Sequence, residues 1–202
     1  MLLMWGRPVE ARRELEIART LNPSKVQVHR MLALSYYVER DFPNAIAIFR
    51  AAISWQPQDF PSHRYLGLAH RATDQYEKAI DILEAAENIE SGRTPLVAAR
   101  FDRLRQAFLQ RGKQGYWEEE WNQAPTNEFY KRATILARLG KADDAFKWLN
   151  QAYQAHERYG PIQDALTRVI YDEVWDPFRH DPRFQDLLEK IGFTKVNPKL
   201  KE

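Results

Sequence analysis

The sequence contains no cysteine, which removes disulfide bridges, thiol catalysis and cysteine-ligated metal. Redox compartment stays open, because a chain without cysteine suits either setting. No apolar stretch approaches the ~18 residues that span a bilayer. Met1 to Trp5 is apolar, but Arg7, Glu10, Arg12 and Arg13 follow at once, unlike the core of a signal peptide. Glycine is scarce, at eight residues in 202, and β-branched runs are few; both favour helix over sheet. An excess of one charge is lacking too. Thirty Lys and Arg against 28 Asp and Glu leave +2, too balanced to argue for nucleic acid or membrane from net charge. With 44% hydrophobic and 29% charged residues, the composition is that of a folded chain rather than a disordered one.

What the sequence does have is a period of 34. His29, Leu32, Phe42, Ala45, Phe49 and Ala52 are followed 34 positions later by His63, Leu66, Tyr76, Ala79, Leu83 and Ala86. Ala11, Leu15, Ala18 and Pro23 precede Ala45, Phe49, Ala52 and Pro57 by the same interval. Turn and breaker residues place helices at about Val9–Leu21, Lys25–Arg40, Asn44–Trp55, Pro61–Thr73 and Tyr76–Ile89. Two antiparallel helices pack closely only where small side chains face each other. Ala33, Ala45, Ala52, Gly67, Ala79 and Ala86 supply these, while Leu32, Phe49, Leu66 and Leu83 fill the space between pairs. One pair cannot bury its apolar face alone, so pairs must stack.

The spacing resembles the tetratricopeptide repeat, best in Leu66, Gly67, Tyr76, Ala79, Leu83 and Ala86. Ala33 departs where glycine is usual, His70 where tyrosine is usual and Ser91 where proline is usual. The resemblance implies an all-α, right-handed superhelix of about five repeats, closed by a C-terminal capping helix. Its units would be 1–25 (truncated), 26–59, 60–93, 94–125 (degenerate), 126–159, and a cap over 160–202. In the degenerate unit, Pro95 to Arg111 is one helix with Val97, Phe101, Leu104 and Phe108 as its apolar stripe. Gly112 to Gly115 breaks it before a short helix from Tyr116 to Gln123. The pattern then recovers over Asn127–Leu139 and Lys141–Glu157, with Ala145, Leu149 and Ala152 matching Ala79, Leu83 and Ala86. Gly160-Pro161 restarts a helix to about Tyr171. Asp181 is placed to cap the last helix, with Pro182 in its first turn.

The stretch Asp176 to Phe184, with Leu187, Leu188, Ile191 and Gly192, resembles the tail that closes such arrays in bacterial multidomain regulators. There the array follows a winged-helix, nucleotide cyclase or serine/threonine kinase domain. The chain also begins inside a repeat, so it reads as the back half of something larger. That resemblance implies a bacterial regulatory setting in the cytoplasm, or in the periplasm if the regulator is membrane-anchored.

Candidate chemistry is thin. Of five histidines, no two stand at i, i+3 or i, i+4, and no carboxylates cluster with them, so no metal site is expected. Glu118–Glu120 and Asp143-Asp144 sit on helices, the latter in a first turn where it complements the helix dipole. There is no phosphate loop, nucleophile elbow or paired-acid signature. The expectation is a non-enzymatic chain without cofactor that binds protein or peptide.

In the family, the residues facing the groove lie near fixed places of each first helix. Carried over, these places point to Gln27, Arg30, Tyr37, Arg64, Arg71, Tyr130 and Arg138 as contacts. Arginine with tyrosine suits an acidic peptide, since guanidinium pairs bidentately with carboxylate. Leu34 and Leu68 stand where the family's carboxylate clamp needs asparagine. Self-association as a homodimer, through the open N-terminal edge or the tryptophans, is the alternative. Nucleic acid, along the basic stretch Arg93 to Lys113, is the lesser one.

Overall fold

A computed structural model describes residues 7–159 and 166–193. The expectations for Met1–Trp5, for the helix start at Gly160-Pro161 and for the last nine residues of the cap lie outside the described residues. Among these, nine α-helices and two 3-10 turns account for the regular structure, with no strand. The helices are α1 (Pro8–Leu21), α2 (Val26–Val38), α3 (Phe42–Trp55), α4 (Phe60–Ala72), α5 (Tyr76–Ser91), α6 (Pro95–Gln123), α7 (Phe129–Arg138), α8 (Ala142–Tyr159) and α9 (Pro182–Lys190). The 3-10 turns are Leu166–Ile170 and Glu173–Phe178. The chain forms two compact units, residues 7–116 and residues from 117 onward.

In the first unit, consecutive helices pack as pairs, α2 on α3 and α4 on α5, with α1 against α2 and α3 against α4. The small residues sit at the crossings as expected. Ala33, Ala45, Ala52 and Ala79 are fully buried, and Phe49 and Leu32 fill the gaps between them. Each large aliphatic or aromatic side chain buried this way contributes about 1.5–3 kcal/mol. Gly67 is fixed by contact: a Cβ there would lie 2.7 Å from Leu83 Cγ.

Short polar side chains start α3 and α4. Asp41 accepts from the Asn44 amide at 3.3 Å, and Asp59 from the Ser62 amide at 3.0 Å. Each satisfies a donor that the first helical turn leaves orphaned, worth about 1 kcal/mol. Pro43 and Pro61 follow in the first turns, where no amide is needed. The histidine ladder has a structural purpose. His29 Nε2 donates to the Pro23 carbonyl at 2.6 Å, and His63 Nε2 to the Pro57 carbonyl at 3.0 Å. Each ring thus ties a first helix to the loop that precedes it.

α6 begins in the first unit with Val97, Phe101 and Leu104 buried, the stripe read from the sequence. Phe108 stacks on Tyr76 with ring centroids 5.3 Å apart. The expected four-residue break contracts to a kink at one residue. Gly112 alone leaves helical geometry, at φ 58° and ψ −146°. Gly115 lies inside the helix, where a Cβ would come within 2.2 Å of the Ala107 carbonyl oxygen. The cluster of glycines marks a tight crossing here as well as a kink.

The second unit has one core built on α7 and α8, containing Ala145, Leu149 and Ala152 as the repeat pattern required. Trp175, from the second 3-10 turn, is fully buried and lies between Phe146, Phe178 and Phe184. Asp181 caps α9 by accepting from the Arg183 amide at 2.9 Å, with Pro182 next in line. Arg183 then reaches Asp143 on α8 at 2.7 Å and covers the Phe146 ring.

Candidate peptide-binding faces

The seven residues expected to contact a ligand separate into three groups. Gln27, in the first turn of α2, and Arg64, on α4, are exposed; Arg71, two turns beyond Arg64, is half-buried. Seven residues along a helix span about 10 Å. Leu68 stands between the two arginines, at i+4 from Arg64 and i−3 from Arg71, so all three share one face. Leu34 and Leu68 are partly buried, packing against the core around Phe49 and Leu66. The face of α2 and α4 is therefore apolar at its centre and cationic along α4.

Arg30 is committed within the fold. Its Nη1 donates to Asp59 Oδ1 at 2.6 Å, and Asp59 is also the cap of α4. Burial raises the Asp59 pKa, but hydrogen bonds from Ser62 and Arg30 outweigh it and hold the carboxyl below its ordinary value. The pair neutralises Arg30 and joins one repeat to the next.

Tyr37, Tyr130 and Arg138 pack within the fold. Tyr37 is 3% exposed and meets Phe42 and Tyr65 edge-on. Tyr130 is 4% exposed; its hydroxyl donates to Asp172 Oδ2 at 3.1 Å and accepts from Trp175 Nε1 at 3.1 Å. Burial, with the Asp172 charge beside it, pushes the phenol pKa well above its ordinary value. Arg138 donates to Glu173 at 2.6 Å, lies 3.6 Å from Asp172 and covers the Trp117 ring. Burial, and then the neighbouring Glu173 charge, raise the Asp172 pKa. The structure brings Tyr130 and Arg138 together on the chain's own Asp172-Glu173 pair.

The basic stretch of α6 is laced to α5 and its neighbours. Arg100 pairs with Glu87, Arg105 with Glu84 and Asp81, and Lys113 with Asp74. The tryptophans divide as well. Trp117 and Trp175 are buried, whereas Trp121 and Trp148 are half-buried and line a cavity that also includes Leu136, Leu139, Lys141 and Asp144. Trp121 and Trp148 also pack against the core of the second unit. Among the described residues, no group of three or more His, Asp or Glu could hold a metal ion, and no helix is long and apolar enough to cross a membrane.

Residues 6–62 match the family described as Tetratricopeptide repeat. No curated protein and no solved structure matches the chain.

Proposed function

We propose that the chain is a non-enzymatic scaffold: residues 6–62 match the tetratricopeptide-repeat family, and such repeats generally mediate protein–protein interaction. Its α2–α4 face receives an extended acidic peptide. The observation that carries this reading is the line Arg64–Leu68–Arg71 on α4: an apolar strip between two guanidinium groups, beside exposed Gln27 and half-buried Leu34. An apolar peptide side chain over Leu68, with carboxylates on either side, matches that pattern in spacing and sign. The face belongs to packed helices, so little ordering is required when the peptide binds. The tail motif around Asp176 to Phe184 supports a setting in a bacterial regulator.

The test is fluorescence anisotropy with a labelled peptide of alternating glutamate and leucine. Arg64→Glu and Arg71→Glu are each expected to weaken binding about tenfold, or ~1.4 kcal/mol. A lysine–leucine peptide should fail to bind. Absence of binding, or binding that neither substitution changes, overturns the reading.

A second reading is favoured by one observation. Val9, Ile17 and Leu21 are 63%, 53% and 82% exposed along α1, within about a third of the helix circumference. An apolar stripe of this kind suits self-association. Light scattering on the chain and on Ile17→Glu tests it: a dimer that the substitution dissolves supports it, and a monomer in both removes it.

A further inference from the structure

Beside the turn from α7 to α8 lies a cavity of about 180 Å³ that the reading above does not use. Trp121, Leu136, Leu139 and Trp148 line it, together with the exposed Lys141 and Asp144. Sites for whole small molecules usually run to about 300–1,000 Å³, so this volume suits one large side chain. The two indoles meet edge to face, with centroids 6.0 Å apart at 83°. Phe129 lies 6.1 Å from Trp148 and extends the aromatic wall.

The charges around the cavity select its occupant. Paired indoles commonly hold a quaternary ammonium, but a cation is already in place. The Arg132 guanidinium lies 4.4 Å from the Trp121 ring centroid and 5.0 Å from that of Trp148. It is pinned there by donating to the backbone carbonyls of Ala124 and Pro125. Asp144 accepts from Lys147 at 2.8 Å, which offsets its charge. Lys141 acts on Asp144 too, so Lys141 and Lys147 together outweigh that carboxylate and, with Arg132 behind the rings, make the local sign positive. A cationic guest meets like charge; a neutral apolar guest with an anionic neighbour does not.

We propose that this cavity is a second docking site, taking a leucine or phenylalanine side chain of a partner peptide whose adjacent carboxylate pairs with Lys141. It uses none of the residues of the α2–α4 face and stands independently of that reading.

The experiment follows the tryptophan indole N–H signals of the ¹⁵N-labelled full chain by NMR. The probe is an acetylated and amidated peptide, Gly-Glu-Leu-Glu-Gly, compared with versions carrying Lys for Glu or Ala for Leu. The expected result is a saturable shift of the Trp121 and Trp148 signals with the first peptide, while Trp117 and Trp175 stay fixed. Lys141→Glu, at an exposed position outside the core, should weaken that binding about tenfold and improve binding of the lysine peptide. The double variant Arg64→Glu/Arg71→Glu should leave the Trp121 and Trp148 shifts intact. Several results overturn the proposal: no shift of these two signals at millimolar peptide, equal shifts with the alanine version, preference of the unaltered chain for the lysine version, or shifts abolished by the α4 double variant. The last result places the peptide on α4 and upholds the α2–α4 reading alone.

Discussion

Arg40 and Asp74 stand 34 residues apart and share a backbone conformation that side chains rarely adopt, with φ of 66° and 57°. Each closes the turn between the first and second helix of its repeat. Gly140, at the corresponding turn between α7 and α8, has φ 73°. The left-handed turn is thus a property of the repeat, and in only one of these three turns does the sequence supply glycine. A residue with a Cβ is strained there by about 1–2 kcal/mol, less for Asp, whose short polar side chain tolerates the conformation. Glycine loses more entropy on folding, which offsets part of the gain. Arg40→Gly is therefore expected to raise stability by about 0.5–1 kcal/mol, Asp74→Gly by less, and Gly140→Ala to lower it by about 1 kcal/mol. Urea unfolding of the three variants checks the order.

The tie between Arg30 and Asp59 makes a second prediction. Asp59→Ala removes a helix cap, worth about 1 kcal/mol, and a charged hydrogen bond worth about 1.5–3 kcal/mol. A loss of roughly 2–4 kcal/mol is expected, since the two contributions overlap at one side chain. Asp59→Asn keeps a capping oxygen and should lose about half as much. Arg30→Ala keeps the cap but leaves Asp59 largely buried without its cation, and should fall between them. Chemical denaturation of the three variants, compared with the unaltered chain, tests the ranking.

The third prediction concerns pH. His70 on α4 is 2% exposed. Burial lowers its pKa below the ordinary 6.5, and the nearby charges of Arg50 on α3 and Lys78 on α5 lower it further, against a hydrogen bond with Gln75 that raises it. The unfolded chain binds the proton more readily, so stability falls as pH drops from about 6.5 through the depressed folded value, and is fully present above 6.5. His70→Gln should flatten that part of the stability curve. Thermal unfolding between pH 5 and 8 provides the measurement; a slope that survives His70→Gln assigns it to another group.

The helical pairs were readable because packing dictates residue size at fixed intervals. Ala45, Phe49, Ala52, Ala79 and Ala86 recur for that reason, and the structure buries all five, while Leu83, opposite Phe49 in the pattern, is half-buried. The kink at Gly112 was readable as a break but not in extent. The tolerance of Gly115 depends on Ala107, a contact across a turn that spacing does not display. The candidate face was legible only in part. Gln27 and Arg64 are exposed and Arg71 is half-buried, while Tyr37 and Tyr130 are buried and Arg30 and Arg138 are tied by ion pairs.

By itself, the sequence determined that the chain is a series of helix pairs and roughly where most of those helices lie, because those depend on local periodicity, caps and prolines. Only tertiary structure decided which acidic side chains tie down the polar residues of the first helices. Arg30 is taken by Asp59, and Tyr130 and Arg138 by Asp172 and Glu173. Those acids lie 29 to 42 positions away in the chain, beyond the reach of any helical period. A charge's partner is set by distance in space, and distance in space is what folding supplies.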